Sequence, residues 1–275
     1  MTPRMAGIVT FLSDFGLSDG FVGICHGVIV GACPEAQVIH LGHGIRPQAV
    51  SEGAQALAGA VPYLPVGVHL AVVDPGVGSE RRAIVIRSAD GRLFVGPDNG
   101  LLIPAAEVAG GVELAVEITN REFMLQRVSR TFHGRDVFSP VAGRLAGGLD
   151  PRELGPKIEP AQLVRCRMPG FELQGSSLEA AVQYIDSFGN VQLAVGREDL
   201  GQLFAPGGVV EIDRGDDRYL AVCADTFADV GGGELVLYED SDSRMSIAIN
   251  RGHAAELLDI RPGGSVRIDL SPAID

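Results

Sequence analysis

The first half of the chain alternates short apolar runs with segments of helical periodicity, and this alternation constrains the fold more than any other feature. Residues 7–12, 37–41 and 68–73 are apolar runs of strand length. A helix ended by Pro34 separates the first two runs, and a helix opened by Pro47 separates the second from the third. This order predicts an α/β N-terminal domain with a mostly parallel central sheet flanked by helices. The pattern continues through predicted strands at 82–87, 92–95 and 112–118 and a predicted helix at 136–145.

The second half of the chain has a different pattern. The stretch 149–175 carries prolines, mixed charges and no sustained period, which is typical of an interdomain connection. From residue 176 onward, short apolar runs are separated by glycine-containing turns. We therefore predict the α/β domain over 1–155, a linker over 156–175 and a smaller all-β C-terminal domain, barrel-like or sandwich-like, over 176–275. The predicted strands of this domain are 178–185, 191–195, 209–213, 218–222, 234–238, 245–250 and 265–269.

The composition limits the partners that the chain can take. With 46% hydrophobic and 21% charged residues, the 275-residue chain can bury large cores and is expected to be globular. Its formal net charge of −13 repels phosphate backbones and anionic lipid heads, so we expect no nucleic-acid and no membrane partner. The four cysteines lack C-x-x-C spacing, and the chain starts with a strand-like run rather than a secretory leader. These features predict a soluble protein of the reducing cytoplasm.

Three polar segments follow predicted strands, which is where open α/β sheets gather their ligands. The first segment holds Asp14 and Asp19. An aspartate after an apolar strand can accept hydrogen bonds from the vicinal diol of a ribose. Aspartate in such a segment is also ordinary turn or helix-cap chemistry, so both interpretations stay open here.

The second and third segments hold Asp74, Arg81 and His133. Asp74 opens the loop D-P-G-V-G-S-E-R, whose glycines allow a tight path that can bring Arg81 back onto the carboxylate. Such a pair could simply tie the loop together. His133 stands at the start of a predicted helix and can exchange a proton near neutral pH. Together, the acid, guanidinium and imidazole can hold a water molecule and withdraw its proton.

Other kinds of chemistry find little support in the sequence. His40 and His43 offer two imidazoles, but no third ligand stands at a recognisable spacing, whereas a zinc site needs three or four. The chain has no G-x-G-x-x-G or Walker-type phosphate loop and no nucleophile elbow. We therefore expect no bound metal and no covalent catalysis.

A further polar segment lies in the predicted all-β domain, where Y-I-D-S-F-G-N contains Asp186, Phe188 and Asn190. A carboxamide can read an adenine edge, an aromatic ring can stack on it, and a carboxylate can hold an ammonium group. The same residues also fit a plain hairpin turn. The segment alone does not decide between these interpretations.

Six motifs in order give the chain a specific resemblance. They are S-D-F-G, D-P-G-V-G-x-x-R, F-x-G-P-D-N-G-L, T-F-H-G-R-D-V-F-x-P, I-D-x-F-G-N and S-I-A-I-N-x-G-x-A-A-E. Over residues 8–268 the chain resembles the S-adenosylmethionine hydroxide adenosyltransferase family, which is related to the fluorinase and chlorinase. The resemblance implies an S-adenosylmethionine hydrolase that forms adenosine and L-methionine without a cofactor or metal.

The resemblance also implies roles for individual residues. Asp74, Arg81 and His133 would activate water for attack on the ribose C5′, and Asp14 would bind the ribose hydroxyls. The methionine end would contact Asp19, Asp186 and Ser241, although D-S-D-S-R departs from the family's usual glycine-containing pattern around Ser241. The adenine pocket would include Phe188, Asn190 and the backbone around Arg251. The implied assembly is a homotrimer with its sites at subunit interfaces.

Two departures from the halogenating relatives favour hydroxide over halide. Those relatives generally carry tyrosine in place of the aspartate and histidine, and the fluorinase has a serine where this chain has Gly134. This chain also has no obvious counterpart of the fluorinase's extra loop. A chlorinase-like halogenase and a non-catalytic protein that binds S-adenosylmethionine or adenosine remain the alternatives, and a metal-dependent hydrolase is the third.

Overall fold

The computed structural model describes residues 7–215 and 217–271 of the chain. The chain divides into two compact units, residues 1–167 and 168–275. This division lies inside the predicted linker 156–175. The same stretch also contributes strands to both units.

The first unit is built on a seven-stranded sheet with the order β2-β1-β3-β5-β4-β6-β7. Five of these strands run in one direction, and β4 and β7 run in the other. The prediction of an α/β unit with a mostly parallel sheet is therefore confirmed. The strands are β1 Ile8–Ser13, β2 Gln37–Gly42, β3 Val68–Val72, β4 Ala83–Ser88, β5 Leu93–Pro97, β6 Val112–Glu117 and β7 Lys157–Ile158, and the helices are α1 Phe21–Ala32, α2 Val50–Ala60, α3 Ile103–Val108 and α4 Ser139–Ala146.

Helices cover both faces of this sheet, because its central strands are apolar on both sides. Phe11 of β1 is fully buried in a cluster that includes side chains of α1 and α4. The next residue, Leu12, points to the opposite face and packs in a cluster that includes side chains of α2 and α3. Side chains of successive strand residues alternate between faces, so continuous apolar runs need two helical layers.

The register of the sheet brings two polar segments to one edge. Ser13 of β1 pairs with Val72 of β3, and the backbone N–H of Asp14 donates to the Val72 carbonyl at 3.3 Å. Asp74 follows Val72 by two residues. Since parallel strands end at the same side of a sheet, Asp14 and Asp74 both follow strand ends at this edge.

Two helix predictions need correction. Helix α2 begins at Val50 rather than at Pro47, because Gln48 adopts a left-handed backbone conformation with φ of 68°. The predicted helix at 136–145 is in fact a π-helical turn, Gly134–Phe138, followed directly by α4. Helix α3 was not among the predicted elements.

The second unit is a closed β-barrel. Its described strands follow the order β10-β14-β13-β12-β11-β15-β9-β8, and β10 also pairs with β9. This extra pairing closes seven strands into a ring around a core that includes Leu178, Ile212 and Leu237. The prediction of a small all-β domain is confirmed. The strands are β8 Phe171–Gln174, β9 Ser177–Ile185, β10 Val191–Leu193, β11 Val209–Arg214, β12 Asp217–Cys223, β13 Leu235–Glu239, β14 Met245–Ile249 and β15 Ser265–Asp269, and the short helices are α5 Arg197–Leu200 and α6 Ala254–Leu257.

The stretch 156–175 contains one strand of each unit. Its strand β7 extends the first sheet by pairing with β6, and its strand β8 pairs with β9 of the barrel. No helix within 7–215 and 217–271 has the length and apolar character needed to cross a membrane.

Candidate active site

The first unit holds Asp74 and Arg81 in a bidentate ion pair. The Arg81 Nε donates to Asp74 Oδ1 at 2.9 Å, and Nη2 donates to Oδ2 at 2.5 Å. Side-chain exposure is only 10% for Arg81 and 6% for Asp74. Parallel N–H bonds to both carboxylate oxygens fix the plane of the acid as well as its position.

The loop between the two residues folds back through consecutive turns. The Val77 N–H donates to the Asp74 carbonyl at 3.2 Å, and the Ser79 N–H donates to the Gly76 carbonyl at 3.1 Å. Gly78 has φ of 77°, and a Cβ at this position would lie 2.3 Å from the Arg130 carbonyl oxygen. Glycine is therefore needed both for the backbone conformation and for the close approach.

His133 joins the pair from the start of the π-helical turn. Its Nδ1 lies 2.9 Å from Arg81 Nη2, so Arg81 contacts both the acid and the imidazole. A guanidinium can only donate, and His133 Nδ1 must therefore be the acceptor. It follows that the imidazole is neutral and carries its proton on Nε2.

The surroundings of His133 favour this neutral form. Burial and the charge of Arg81 lower the pKa of His133 below the usual 6.5, and the nearby Asp74 partly offsets this. The Phe138 ring supports the guanidinium from one side, with the Arg81 Cζ 5.1 Å from the ring centroid. The three predicted residues thus form one connected set in which the imidazole can donate through Nε2.

A cleft of about 350 Å³ adjoins this set. Arg81 and His133 line it together with Arg121 and Arg130. This volume has room for on the order of ten water molecules. Water can therefore stand next to two members of the set.

Asp14 and Asp19 differ in how firmly they are held. The Asp14 carboxylate is half-buried, and its Oδ2 accepts the backbone N–H of Gln48 at 3.0 Å. Asp19 is exposed in the turn before α1. Only Asp14 is held in a defined orientation.

The second unit contains a cavity of about 680 Å³. All five site residues predicted for this unit line it, although they come from three different loops. They are Asp186, Phe188, Asn190, Ser241 and Arg251. The barrel thus brings together residues that lie as much as 65 positions apart in the sequence, from Asp186 to Arg251.

The loop around Asp186 is both a turn and a wall of this cavity. The Asp186 carboxylate accepts the backbone N–H groups of Phe188 and Asn190, each at 2.9 Å, and the Asn190 side-chain amide at 2.8 Å. Gly189 has φ of 83°, and any Cβ there would collide with the His253 ring. This arrangement leaves Phe188 with 75% of its surface exposed.

Several polar side chains at these sites were not predicted. In the barrel, Asp240 accepts hydrogen bonds from Gln192 at 2.9 Å and from the Ser246 hydroxyl at 2.7 Å beside the cavity. In the first unit, the His43 imidazole bonds to the Ser13 hydroxyl. The sequence signal for His43 was its spacing from His40, which suggested only a metal pair.

The structure brings a third imidazole to this pair. His26 Nδ1 lies 3.0 Å from His40 Nε2, and His40 Nδ1 lies 2.7 Å from His43 Nε2. His40 uses one nitrogen toward each neighbour, so the rings form a line and do not converge on a point. Throughout the described part of the chain, no three His, Cys, Asp or Glu side chains are grouped so as to hold a metal ion.

The α/β unit with its acid–guanidinium–imidazole set, followed in one chain by a barrel with an aromatic- and amide-lined cavity, defines a two-domain class of protein. Residues 9–155 match the model of the SAM hydroxide adenosyltransferase N-terminal domain, and residues 180–267 match that of the C-terminal domain. SAM here denotes S-adenosylmethionine. The chain belongs to the S-adenosylmethionine hydroxide adenosyltransferase family.

Curated relatives cover nearly the whole chain. The chain is 48% identical over 260 residues to an (R)-S-adenosyl-L-methionine hydrolase of Salinispora tropica. This alignment covers 94% of this chain and 97% of the relative. The chain is 38% identical to the hydrolase of the same name from Thermus thermophilus, and this alignment covers 94% of this chain and 98% of the relative. A fluorinase of Actinopolyspora mzabensis is more distant. It is 26% identical, and the alignment covers 96% of this chain and 97% of the fluorinase.

A solved structure shares the fold. An uncharacterized conserved protein from Thermotoga maritima superposes with a TM-score of 0.86 at 35% identity, covering 94% of this chain and 99% of that one. The similarity extends over both units.

Proposed function

We propose that this chain is an S-adenosylmethionine hydrolase that forms adenosine and L-methionine. The observation that carries the proposal is the contact of Arg81 with both Asp74 and His133, in a chain whose 48% identical relative is named a hydrolase of this substrate. The names of the relatives specify the (R) form of the sulfonium, and we extend that preference to this chain.

The proposed reaction is a displacement at the ribose C5′. A water oxygen forms a bond to C5′ while the C5′–S bond breaks, and its electron pair returns to sulfur to give the neutral thioether of methionine. The attacking water loses one proton. The products are adenosine, methionine and that proton, so atoms and charge balance without a redox partner.

The geometry supports a division of roles within the set. We assign proton acceptance to Asp74, whose carboxylate has lone pairs beyond those used by Arg81. We assign to His133 the donation of its Nε2–H to the attacking oxygen, since its Nδ1 accepts from Arg81. Arg81 holds the acid in a fixed orientation. Positioned acid–base groups of this kind contribute about 10²–10⁴-fold to a rate.

The remaining assignments follow the family resemblance. Asp14 would bind the ribose hydroxyls, with Phe188, Asn190 and Arg251 around adenine. The methionine end would contact Asp19, Asp186 and Ser241. We further propose a homotrimer that needs neither cofactor nor metal and acts in the cytoplasm, the last on the basis of its scattered cysteines.

The decisive experiment is product analysis in oxygen-18 water. The protein is incubated with S-adenosylmethionine, the products are separated by chromatography, and their masses are measured by mass spectrometry. We expect one oxygen-18 atom in the adenosine 5′-hydroxyl. Adenosine without label, or intact substrate after prolonged incubation, would rule out the proposal.

Two controls sharpen this result. Replacing chloride with acetate in the buffer should leave the product unchanged, and appearance of 5′-chloro-5′-deoxyadenosine would instead identify a halogenase. Separated (R) and (S) sulfonium epimers should be consumed at different rates, with the (R) form consumed faster. Full activity in the presence of a chelator is expected.

A further inference from the structure

A line of hydrogen bonds connects a buried serine beside Asp14 to three imidazoles. The Ser13 Oγ lies 2.7 Å from His43 Nδ1, and His43 Nε2 lies 2.7 Å from His40 Nδ1. The line ends at His26, 3.0 Å from His40. Ser13 is fully buried and His43 is 5% exposed, and the Phe11 ring packs edge-on against His43 at a centroid distance of 4.7 Å.

The direction of these bonds follows from the surroundings of Ser13. Its hydroxyl oxygen accepts the backbone N–H of Phe15 at 3.3 Å. A fully buried hydroxyl must also donate its own hydrogen, and His43 Nδ1 is the acceptor beside it. His43 is therefore neutral with its proton on Nε2, which donates to His40 Nδ1. Burial and the neighbouring His40 lower the pKa of His43 to about 4, in keeping with this neutral form.

His43 holds the segment around Asp14 from both sides. Its side chain binds Ser13, which precedes Asp14, and its carbonyl oxygen accepts the backbone N–H of Gly16 at 2.7 Å. The short segment 13–16 is thus fastened to the end of β2 at two points. Asp14 lies between these two points.

Gln48 fixes the carboxylate itself. Its backbone N–H donates to Asp14 Oδ2 at 3.0 Å. The Gln48 backbone is in the left-handed conformation, which residues other than glycine rarely adopt. Oδ1 takes no part in this bond. A backbone strained at a carboxylate is typical of a site in which the orientation of that group matters.

We propose that His43 is a positioning residue whose imidazole, acting through the Ser13 hydroxyl, orients the Asp14 carboxylate toward the vicinal diol of a nucleoside. The ligand class is nucleosides that carry both ribose hydroxyls. This inference rests on the ribose-binding role given to Asp14 in the proposed function. His43 itself need not contact the substrate.

The test compares two ligands in two variants by competition binding. The ligands are adenosine and 2′,3′-dideoxyadenosine, which lacks both hydroxyls that Asp14 would bind. In His43→Leu, the affinity for adenosine should fall about tenfold or more, the range expected for hydrogen bonds to a charged group. The affinity for 2′,3′-dideoxyadenosine should change less than twofold.

His43→Asn is the matched variant, because an asparagine amide reaches about as far as Nδ1 and can still bind the Ser13 hydroxyl. It should keep most of the adenosine affinity that His43→Leu loses. Ser13→Ala removes the same bond with a minimal change in volume and gives the test if His43→Leu does not fold. Equal losses for both ligands, or an unchanged adenosine affinity, would overturn the proposal.

An Asp14→Asn variant separates this inference from the proposed function. In that background, His43→Leu should cause no further loss of adenosine affinity, since the group that it positions is already altered. If Asp14→Asn lowers the affinity for both ligands by the same factor, or for neither, the ribose role of Asp14 fails. None of these measurements requires hydrolysis, so a negative oxygen-18 result would leave them interpretable.

Discussion

The acid–guanidinium–imidazole set of the first unit and the Asp186 loop of the barrel hold their polar groups in opposite ways. In the first unit, Arg81 bonds to His133, which lies 52 residues away, and Ser13 bonds to His43, which lies 30 residues away. In the barrel, the Asp186 carboxylate accepts hydrogen bonds from residues two and four positions on in its own loop.

This difference has a physical consequence. Hydrogen bonds between side chains that are distant in sequence form only when separate strands and turns have packed together. Asp74, Arg81 and His133 therefore come into contact only once the first unit has folded. A loop that satisfies its own carboxylate can form from local sequence and then present an exposed ring such as Phe188. In the proposed function, the reacting groups belong to the first unit, and both units contribute residues that recognise the substrate.

The largest expected effect is on the rate. Asp74→Asn keeps the shape of the acid but removes the proton acceptor, so kcat should fall about 10²–10⁴-fold. Steady-state kinetics measures this, with adenosine production as the readout. A variant that folds, binds substrate and keeps its full rate would show that Asp74 only stabilises the loop through its ion pair with Arg81.

Asp98 offers a matched control within the same unit. It pairs with Arg82 at 2.5 Å, and its side chain is 2% exposed against 6% for Asp74, so the two acids are similarly buried, although Arg82 is 29% exposed against 10% for Arg81. Asp98→Asn should lower the free energy of unfolding, because breaking a buried pair typically costs about 3–5 kcal/mol. It should leave kcat unchanged.

The second effect is a pH dependence of stability confined to the first unit. His69 is fully buried there, and burial, aided by the charge of Arg92, lowers its pKa from 6.5 to about 4. Between pH 4 and pH 6.5 the unfolded chain therefore binds more protons at His69 than the folded chain does. The stability that is present above pH 6.5 is lost as the pH falls toward 4.

At pH 5 this loss amounts to about 2 kcal/mol for His69. Urea unfolding at pH 7.5 and pH 5, followed by hydrogen exchange to resolve the two units, measures it. His69→Gln should reduce the pH dependence of the first unit by that amount. If the barrel loses as much stability as the first unit over this range, the contrast between the units fails.

The smallest effect is local to the barrel. Asp186→Ala removes the acceptor of the Phe188 and Asn190 backbone N–H groups, so their hydrogen exchange should accelerate about tenfold, within the range for hydrogen bonds to a charged group. Asp186→Asn keeps Oδ1 as an acceptor and should show a smaller change. Faster exchange throughout the barrel would mean that this loop is not an independent local structure.

Local structure was largely predictable where one pattern dominates. The apolar runs predicted the strands at 68–73 and 265–269 because alternation and β-branched residues are local signals. The start of α2 was wrong because Gln48 takes a left-handed conformation that no propensity favours. Strand β7 is only two residues long, which is too short for any periodicity to show.

The site was predictable only as separate pieces. The sequence offered Asp74, Arg81 and His133 as an acid, a cation and an imidazole, and resemblance joined them into one set. The distances between them depend on how the loop after β3 meets the turn before α4. The link from His43 to Ser13 had no sequence signal, since hydrogen bonds between distant side chains leave no spacing to find.

The sequence by itself determined the order of strands and helices, the change from an α/β pattern to a β pattern, and the family to which the chain belongs. These follow from side-chain periodicity and from motifs read along the chain. Only the tertiary structure decided that Arg81 bridges the acid and the imidazole, that His133 is protonated on Nε2, and that His43 fastens the segment around Asp14. Such facts depend on distances and burial between groups far apart in sequence, which arise only when the chain has folded.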